Sequence, residues 1–153
     1  MNPNRIRERN ISFSKRVHSV LKNYSLKFNK VASHSSKKGY ANIVPEKNGV
    51  VEGVLYDVSD SDLPKLDRYE GHPDHYDRID AKVQLDNKRE VEAVTYIAQS
   101  DKVREGLIPS KNYLDHLLAA SDVLSKSYLD KLKSQETLGR KNGCATTGSA
   151  CML

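Results

Sequence analysis

Apolar residues recur at every second position over several stretches of the chain, which is the pattern of half-buried β-strands. In one stretch, Tyr24, Leu26 and Phe28 alternate with polar residues. A polar loop is expected at residues 33–38, and the proline, asparagine and glycine within residues 45–49 indicate a turn. The pattern predicts strands over residues 16–30, 39–44, 50–58, 76–85 and 91–97, the last two forming a β-hairpin.

Apolar spacing of three or four residues predicts short helices around and after these strands. Asn2 and Pro3 favour a helix start at the N-terminus, and Ser110 favours another at residue 111. A further helical stretch is predicted over residues 122–132. Because most strands precede most helices, the fold class is expected to be α+β.

The most informative helix is predicted between two strands, where Leu63 and Leu66 share one helical face. Gly71 favours the left-handed conformation that ends a helix, which places Glu70 at the helix C-terminus. The helix dipole disfavours a negative charge there, so we expect a raised pKa and a better proton acceptor. The alternative is a solvated glutamate in a turn.

Length and composition indicate one domain of 153 residues that is expected to be cytosolic. No apolar run is long enough to span a bilayer. Cys144 and Cys151 lie in a polar stretch, which excludes a framework of core disulfides. We therefore divide the chain into a domain at residues 1–133 and a disordered polar tail at residues 134–153.

The net charge of +5 is uneven, because residues 1–47 carry 11 Lys and Arg against 2 Asp and Glu. These cations are scattered through alternating patterns, which favours solvent-facing positions in strands and a helix over nucleic-acid binding. His72, Asp74, His75 and Asp77 lie close together, but a turn containing a proline cannot easily aim them at one point. No metal site is expected.

The chain resembles the γ-glutamylcyclotransferase family over residues 1 to about 132. The resemblance rests on Gly-Val-Leu-Tyr at residues 53–56, Leu-Asp-x-x-Glu-Gly at 66–71 and Tyr76-x-Arg78. Members of that family cleave γ-glutamyl amines by internal cyclisation and release 5-oxoproline, without a cofactor. The resemblance implies that Glu70 is the general acid/base and that the fold is a small mixed β-barrel flanked by helices.

Three tyrosines are candidate substrate-binding residues by the same resemblance. Tyr113 lies in a Pro-Ser-x-x-Tyr arrangement, Tyr76 follows the Glu-Gly pair, and Tyr96 lies in the returning strand of the hairpin. The alternative for each is a tyrosine at the edge of the core with a satisfied hydroxyl.

One difference from the family changes the expectation for activity. Family members begin with an apolar strand ending in Tyr-Gly-Ser-Asn, whose backbone amides line the substrate pocket, and the sequence contains no Tyr-Gly-Ser-Asn. We therefore expect an open side in the barrel, low activity and self-association through the uncovered strand edge. The partner implied is a small γ-glutamyl compound, and the alternative function is a non-catalytic interaction or regulatory module.

Overall fold

The computed structural model describes residues 2–33 and 35–139. Residues 140–153, most of the predicted tail, lie outside the described part. The strands are β1 (Phe13–Ala32), β2 (Ser35–Val58), β3 (Tyr76–Leu85) and β4 (Glu90–Ala98). The α-helices are α1 (Pro3–Glu8), α2 (Leu63–Glu70), α3 (Lys111–Leu118) and α4 (Lys126–Lys133). The protein is therefore α+β, as the sequence predicts.

Strands β1 and β2 form one long antiparallel hairpin. The prediction of a polar loop through residue 38 is wrong, because β2 begins at Ser35. The predicted turn at residues 45–49 is an irregularity within β2, so the two predicted strands are one. Asn23 and Asn48 both adopt positive φ there, and the Asn48 N–H donates to the Asn23 side chain at 3.3 Å. Asparagine tolerates this conformation, which lets a strand absorb extra residues without reversing.

The sheet has the order β2-β1-β3-β4, and all its strand ladders are antiparallel. The predicted hairpin of β3 and β4 is confirmed, with Tyr76 opposite Ala98 at one end. Strands β2 and β4 are the two edges of this sheet. Within the described residues, no ladder joins them, so the sheet does not close into a complete barrel.

Two groups of buried side chains hold the helices against the sheet. In the first, α3 and α4 contribute Tyr113, Leu117, Tyr128 and Leu132 against the β1–β2 hairpin. In the second, Ile6 and Leu66 bring α1 and α2 against Tyr76 and Tyr96. Glu70 ends α2 beside this second group. The described residues contain no helix long and apolar enough to cross a membrane.

Helix α4 begins four residues later than the sequence predicts. Ser125 caps it by accepting a hydrogen bond from the Tyr128 N–H at 3.2 Å. Asp122, which the prediction placed inside the helix, pairs with Arg16 through two contacts of 2.8 and 2.9 Å. That pairing fixes the turn before α4 to β1.

Gly71 ends α2 in the left-handed conformation that the sequence predicts, with φ of 70°. A Cβ at this position would approach the His75 side chain to 2.8 Å. We expect Gly71→Ala to lower the free energy of unfolding by more than the ~1–2 kcal/mol that left-handed backbone alone costs. Urea denaturation measures this effect.

Gly106→Ala is the matched control, because Gly106 has φ of 76° and nothing within 4 Å of the added Cβ. Gly106→Ala should lower the free energy of unfolding only by the cost of placing alanine in left-handed backbone. Equal losses in the two variants would contradict a steric role for His75.

Candidate active site

Glu70 is a buried carboxylate at the C-terminal end of α2. Its side chain has 0% exposure, and Oε1 lies 3.4 Å from the Arg9 guanidinium, which is 6% exposed. The alternative of a solvated glutamate in a turn is therefore wrong. An ionised carboxylate so deeply buried needs a cation or hydrogen bonds to remain charged. Arg9 supplies such a cation.

Arg9 is held in place by its surroundings. It directly follows α1, whose Ile6 is 1% exposed and anchors the helix in the core. The Arg9 guanidinium also lies over the Tyr69 ring, 4.8 Å from its centroid. This stacking directs the guanidinium at the end of α2 and limits its movement. Arg9 was not among the predicted site residues.

Arg5 brings a second positive charge to the same region. Burial and the Arg9 charge lower the pKa of Arg5, whereas Glu8, Tyr113 and Glu70 act in the opposite direction. Arg5 therefore lies close to both Glu70 and Tyr113, although these two residues lie on different helices. The sequence signal that could have revealed this pair is the four-residue spacing of Arg5 and Arg9, because residues four apart lie on the same side of a helix.

Tyr76 and Tyr113 meet at one residue of β2. The Tyr76 hydroxyl donates to the Ala41 carbonyl at 3.0 Å, and the Tyr113 hydroxyl accepts from the Ala41 N–H at 3.1 Å. Both rings are buried. Because the Tyr113 oxygen accepts here, its own proton is directed to a different acceptor. Ala41 thus holds both predicted tyrosines in fixed positions.

Tyr96 lies near Glu70 but makes a different contact. Its hydroxyl donates to Asp67 Oδ1 at 2.8 Å, and Asp67 Oδ2 accepts from Arg78 at 2.8 Å. Burial, with the Asp67 hydrogen bond and the negative charge of Glu70, raises the pKa of Tyr96. Tyr96 is therefore neutral over the ordinary pH range, suited to hydrogen bonding and unsuited to accepting a proton.

Glu70 and Tyr96 line one cavity of about 380 Å³, which is within the ~300–1,000 Å³ of small-molecule sites. Ile6, Leu63 and Leu66 contribute apolar walls nearby. Tyr76 and Tyr113 do not belong to the lining. The structure thus brings two of the four predicted residues to the cavity, whereas the other two meet at Ala41, which is not part of the lining.

No metal site is found among residues 2–33 and 35–139, since no three His, Cys, Asp or Glu side chains there could share an ion. In the predicted turn, His72 Nδ1 lies 3.0 Å from the Tyr76 carbonyl. That contact turns one candidate ligand toward the backbone.

A second polar cluster lies around Glu52, elsewhere in the cavity wall. His18 lies between two carboxylates, with Nδ1 2.5 Å from Asp86 and Nε2 3.1 Å from Glu52. Glu52 also accepts from the Ser125 hydroxyl and N–H at the start of α4. Burial opposes protonation of His18, but hydrogen bonds to the two carboxylates outweigh it and raise its pKa.

This cluster predicts a specific pH dependence of stability. A raised folded-state pKa means that the folded chain binds the proton more tightly than the unfolded chain. The stabilisation is therefore complete below about pH 6.5 and lost as the pH rises through the folded-state pKa of His18. His18→Gln should lower the free energy of unfolding more at about pH 5.5 than at about pH 9 in urea titrations.

His116→Gln is the control with the opposite sign. Burial and the Arg5 charge lower the pKa of His116, so its contribution grows as the pH rises. If His18→Gln lowered the free energy of unfolding equally at both pH values, the ion pairs of protonated His18 with Asp86 and Glu52 would contribute nothing to stability.

Comparison with known proteins identifies the family of this chain. A family model described as "Gamma-glutamyl cyclotransferase, AIG2-like" matches residues 3–115. The Methanocaldococcus jannaschii protein named "Putative gamma-glutamylcyclotransferase MJ1514" is 39% identical over 62 residues, which are 37% of this chain and 52% of that protein. The matched stretch thus spans about half the length of that relative.

Solved structures share the fold over most of the chain. The human protein loc79017, described as uncharacterized, has a TM-score of 0.82 and 25% identity, covering 94% of this chain and 87% of its own. A structure named gamma-glutamyl cyclotransferase has a TM-score of 0.80 and 24% identity with the same coverage. YkqA of Bacillus subtilis has a TM-score of 0.70 and 24% identity, covering 82% of this chain and 47% of its own. At this identity the last two show the fold alone.

Proposed function

Because the chain belongs to the gamma-glutamyl cyclotransferase, AIG2-like family, we propose that it acts on a γ-glutamyl amine and cyclises it to 5-oxoproline. The observation that supports this most is the buried Glu70 carboxylate, which lines a cavity of small-molecule size. The substrate class is a small γ-glutamyl compound, the chemistry needs no cofactor, and the expected location is the cytoplasm.

Glu70 has two proton transfers to perform in this reaction. It first takes a proton from the substrate's α-ammonium group, whose nitrogen then attacks the γ-carbonyl carbon. A carbon–nitrogen bond forms to close the five-membered ring, and the bond to the leaving amine breaks. Glu70 then returns that proton to the leaving nitrogen. The attacking nitrogen still carries one proton more than the lactam holds, and this second proton passes to the released amine, which departs as an ammonium group. One carboxylate beside both nitrogens serves as base and then as acid.

Arg9 and the tyrosines have supporting roles in this proposal. The Arg9 cation keeps Glu70 ionised and ready to accept the first proton. Tyr96 offers a neutral hydroxyl in the same cavity, and Tyr76 and Tyr113 fix the position of β2 at Ala41. The oxygen of the attacked carbonyl needs hydrogen-bond donors as it becomes negative. Family resemblance assigns that task to a Tyr-Gly-Ser-Asn loop, which is not among residues 1–153.

The test is release of 5-oxoproline from γ-glutamyl-alanine by two proteins. One is the chain of residues 1–153, and the other carries an added N-terminal strand ending in Tyr-Gly-Ser-Asn before Met1. We expect release by the extended chain and a rate lower by at least about 10²–10³ without the loop, because oxyanion donors are missing. α-Glutamyl-alanine is the matched control, since its amide lies at the α-carboxyl group.

Each other outcome has a clear meaning. Equal release by both proteins would show that residues 1–153 supply the missing donors. No release by either protein, with both shown to be folded by circular dichroism, would contradict the proposal. The non-catalytic interaction module, supported by the open edges of β2 and β4, would then replace it.

A further inference from the structure

Three polar side chains near Glu70 are joined by hydrogen bonds: Arg78, Asp67 and Tyr96. Arg78 and Tyr96 are directly opposite each other in the β3–β4 ladder, so both side chains lie on one face of the sheet. Asp67 lies on α2 three residues before Glu70, which places these two carboxylates on one side of the helix. The hydrogen bonds therefore join both strands of the hairpin to the helix that carries Glu70.

Each of these hydrogen bonds has a fixed direction. A guanidinium has only donors, and a carboxylate has only acceptors. Arg78 donates to Asp67 Oδ2 at 2.8 Å, and Asp67 Oδ1 accepts from the Tyr96 hydroxyl at 2.8 Å. Burial and the Asp67 hydrogen bond raise the pKa of Tyr96, so the hydroxyl keeps the proton that it donates. Asp67 thus decides which way the Tyr96 proton points.

The Tyr96 proton points away from the cavity. Tyr96 and Glu70 both belong to the cavity lining, whereas Asp67 and Arg78 do not. A tyrosine hydroxyl has one proton, and its oxygen can also accept a hydrogen bond. With the proton directed at Asp67, a group in the cavity can meet only the accepting side of the Tyr96 oxygen. Tyr96 is therefore an acceptor toward the cavity.

An acceptor at this position selects among the groups of a γ-glutamyl compound. The α-carboxylate and the γ-carbonyl oxygen are themselves acceptors, so neither can bond to it. The α-ammonium group is a charged donor, which makes the stronger kind of hydrogen bond. After burial and Asp67, the Glu70 charge also raises the pKa of Tyr96, so Tyr96 lies close to Glu70. In the proposed reaction, the α-ammonium group lies against that same carboxylate.

We propose that Asp67, held by Arg78, is a positioning residue that makes Tyr96 an acceptor for the α-ammonium group of the substrate. Tyr96 and Glu70 then both bind that nitrogen, and the γ-carbonyl oxygen receives no hydrogen bond from Tyr96. This inference rests on the proposed function, because it names the substrate group that Tyr96 binds in the same site.

Asp67→Asn tests the direction of the hydroxyl without changing the size of the side chain. Arg78 can donate only to the amide oxygen of the asparagine, so the amide N–H turns toward the Tyr96 oxygen. The Tyr96 proton then turns toward the cavity, where it opposes the ammonium group.

Two unreactive ligands measure the effect by isothermal titration calorimetry. One is γ-glutamyl-alanine with its γ-amide replaced by a trans carbon–carbon double bond, and the other is the same molecule without its amino group. Both keep the α-carboxylate, so the ratio of their affinities reports on the ammonium group. In the strand-extended chain, which carries Tyr-Gly-Ser-Asn before Met1, Asp67→Asn should lower this ratio at least about tenfold, as expected for one hydrogen bond to a charged group.

Two further variants separate this role from a structural one. Tyr96→Phe removes the hydroxyl and should also lower the ratio, and adding Asp67→Asn should then have little further effect, because Asp67 acts through that hydroxyl. Asp80→Asn is the matched control, since it neutralises an exposed carboxylate of β3 and should leave both affinities unchanged. Equal weakening of both ligands by Asp67→Asn would overturn the proposal and leave Asp67 with a role in folding alone.

This proposal and the proposed function can fail separately. If the strand-extended chain releases 5-oxoproline and Asp67→Asn leaves the affinity ratio unchanged, the positioning role is wrong and the proposed function stands. If it releases none and the ratio falls as expected, the proposed reaction is wrong and the positioning role stands. Binding of neither ligand would overturn both.

Discussion

Glu70→Gln in the strand-extended chain is expected to release 5-oxoproline about 10²–10⁴ times more slowly than its parent. Glutamine keeps the size of the side chain and can neither take nor return the proton. The loss should appear in kcat, since the substituted group acts on the reacting nitrogens in the transition state. Initial rates with γ-glutamyl-alanine measure it.

The control for this variant is Glu46→Gln, which neutralises an exposed glutamate in β2. It should retain the parent rate, because a distant surface charge takes no part in the reaction. Urea denaturation of both variants shows whether the protein remains folded. A folded Glu70→Gln variant with the full rate would mean that another group transfers the proton.

Arg9→Met is expected to lower the free energy of unfolding by about 3–5 kcal/mol, as is usual when one partner of a buried ion pair is removed. The Glu70 side chain has 0% exposure, so Arg9→Met removes the cation 3.4 Å from its Oε1 at a position shielded from water. The expected effect is larger than that of an exposed salt bridge, which contributes about 0–1 kcal/mol. Urea titration of the chain of residues 1–153 measures it without any assay of activity.

The double variant Arg9→Met with Glu70→Gln tests the reason for that loss. If the cost comes from an uncompensated charge, neutralising Glu70 should recover most of it, because neutral pairs often replace buried ion pairs without loss. Arg7→Met is the matched control, since Arg7 is an exposed residue of α1 with its guanidinium 5.2 Å from the Phe13 ring. If the loss in free energy of unfolding of the double variant equals the sum of the two single losses, Arg9 and Glu70 do not stabilise each other.

Local patterns predicted the elements that position the site. Alternation found the β3–β4 hairpin, and the glycine after Glu70 correctly indicated the end of α2. Both signals arise within a few residues of chain, where the period of the side chains and the conformational freedom of glycine decide the structure.

The contacts between distant segments were not predictable in the same way. Arg9 and Glu70 are 61 residues apart, and no local pattern pairs them. Local patterns also failed to predict that β2 is one strand, because its proline and its Asn-Gly pair are typical of a turn. Asn23 on the neighbouring strand accepts the Asn48 N–H and makes an irregular strand acceptable.

Helix α4 shows how tertiary contacts set a boundary. Apolar spacing extended the predicted helix back to residue 122, but Asp122 pairs with Arg16 and Ser125 caps the helix while binding Glu52. Both partners lie in the β1–β2 hairpin, more than 70 residues earlier in the chain. The sequence pattern carries the periodicity of a helix, and these contacts decide where it starts.

The most direct measurement is a crystal structure of the strand-extended chain with bound 5-oxoproline. The ring nitrogen of the product is expected within about 3.2 Å of the Glu70 carboxylate, since that carboxylate exchanges a proton with this nitrogen. The ring should occupy the cavity beside Tyr96. A product bound elsewhere, or one whose nitrogen faces away from Glu70, would contradict the assignment of Glu70 as the acid/base.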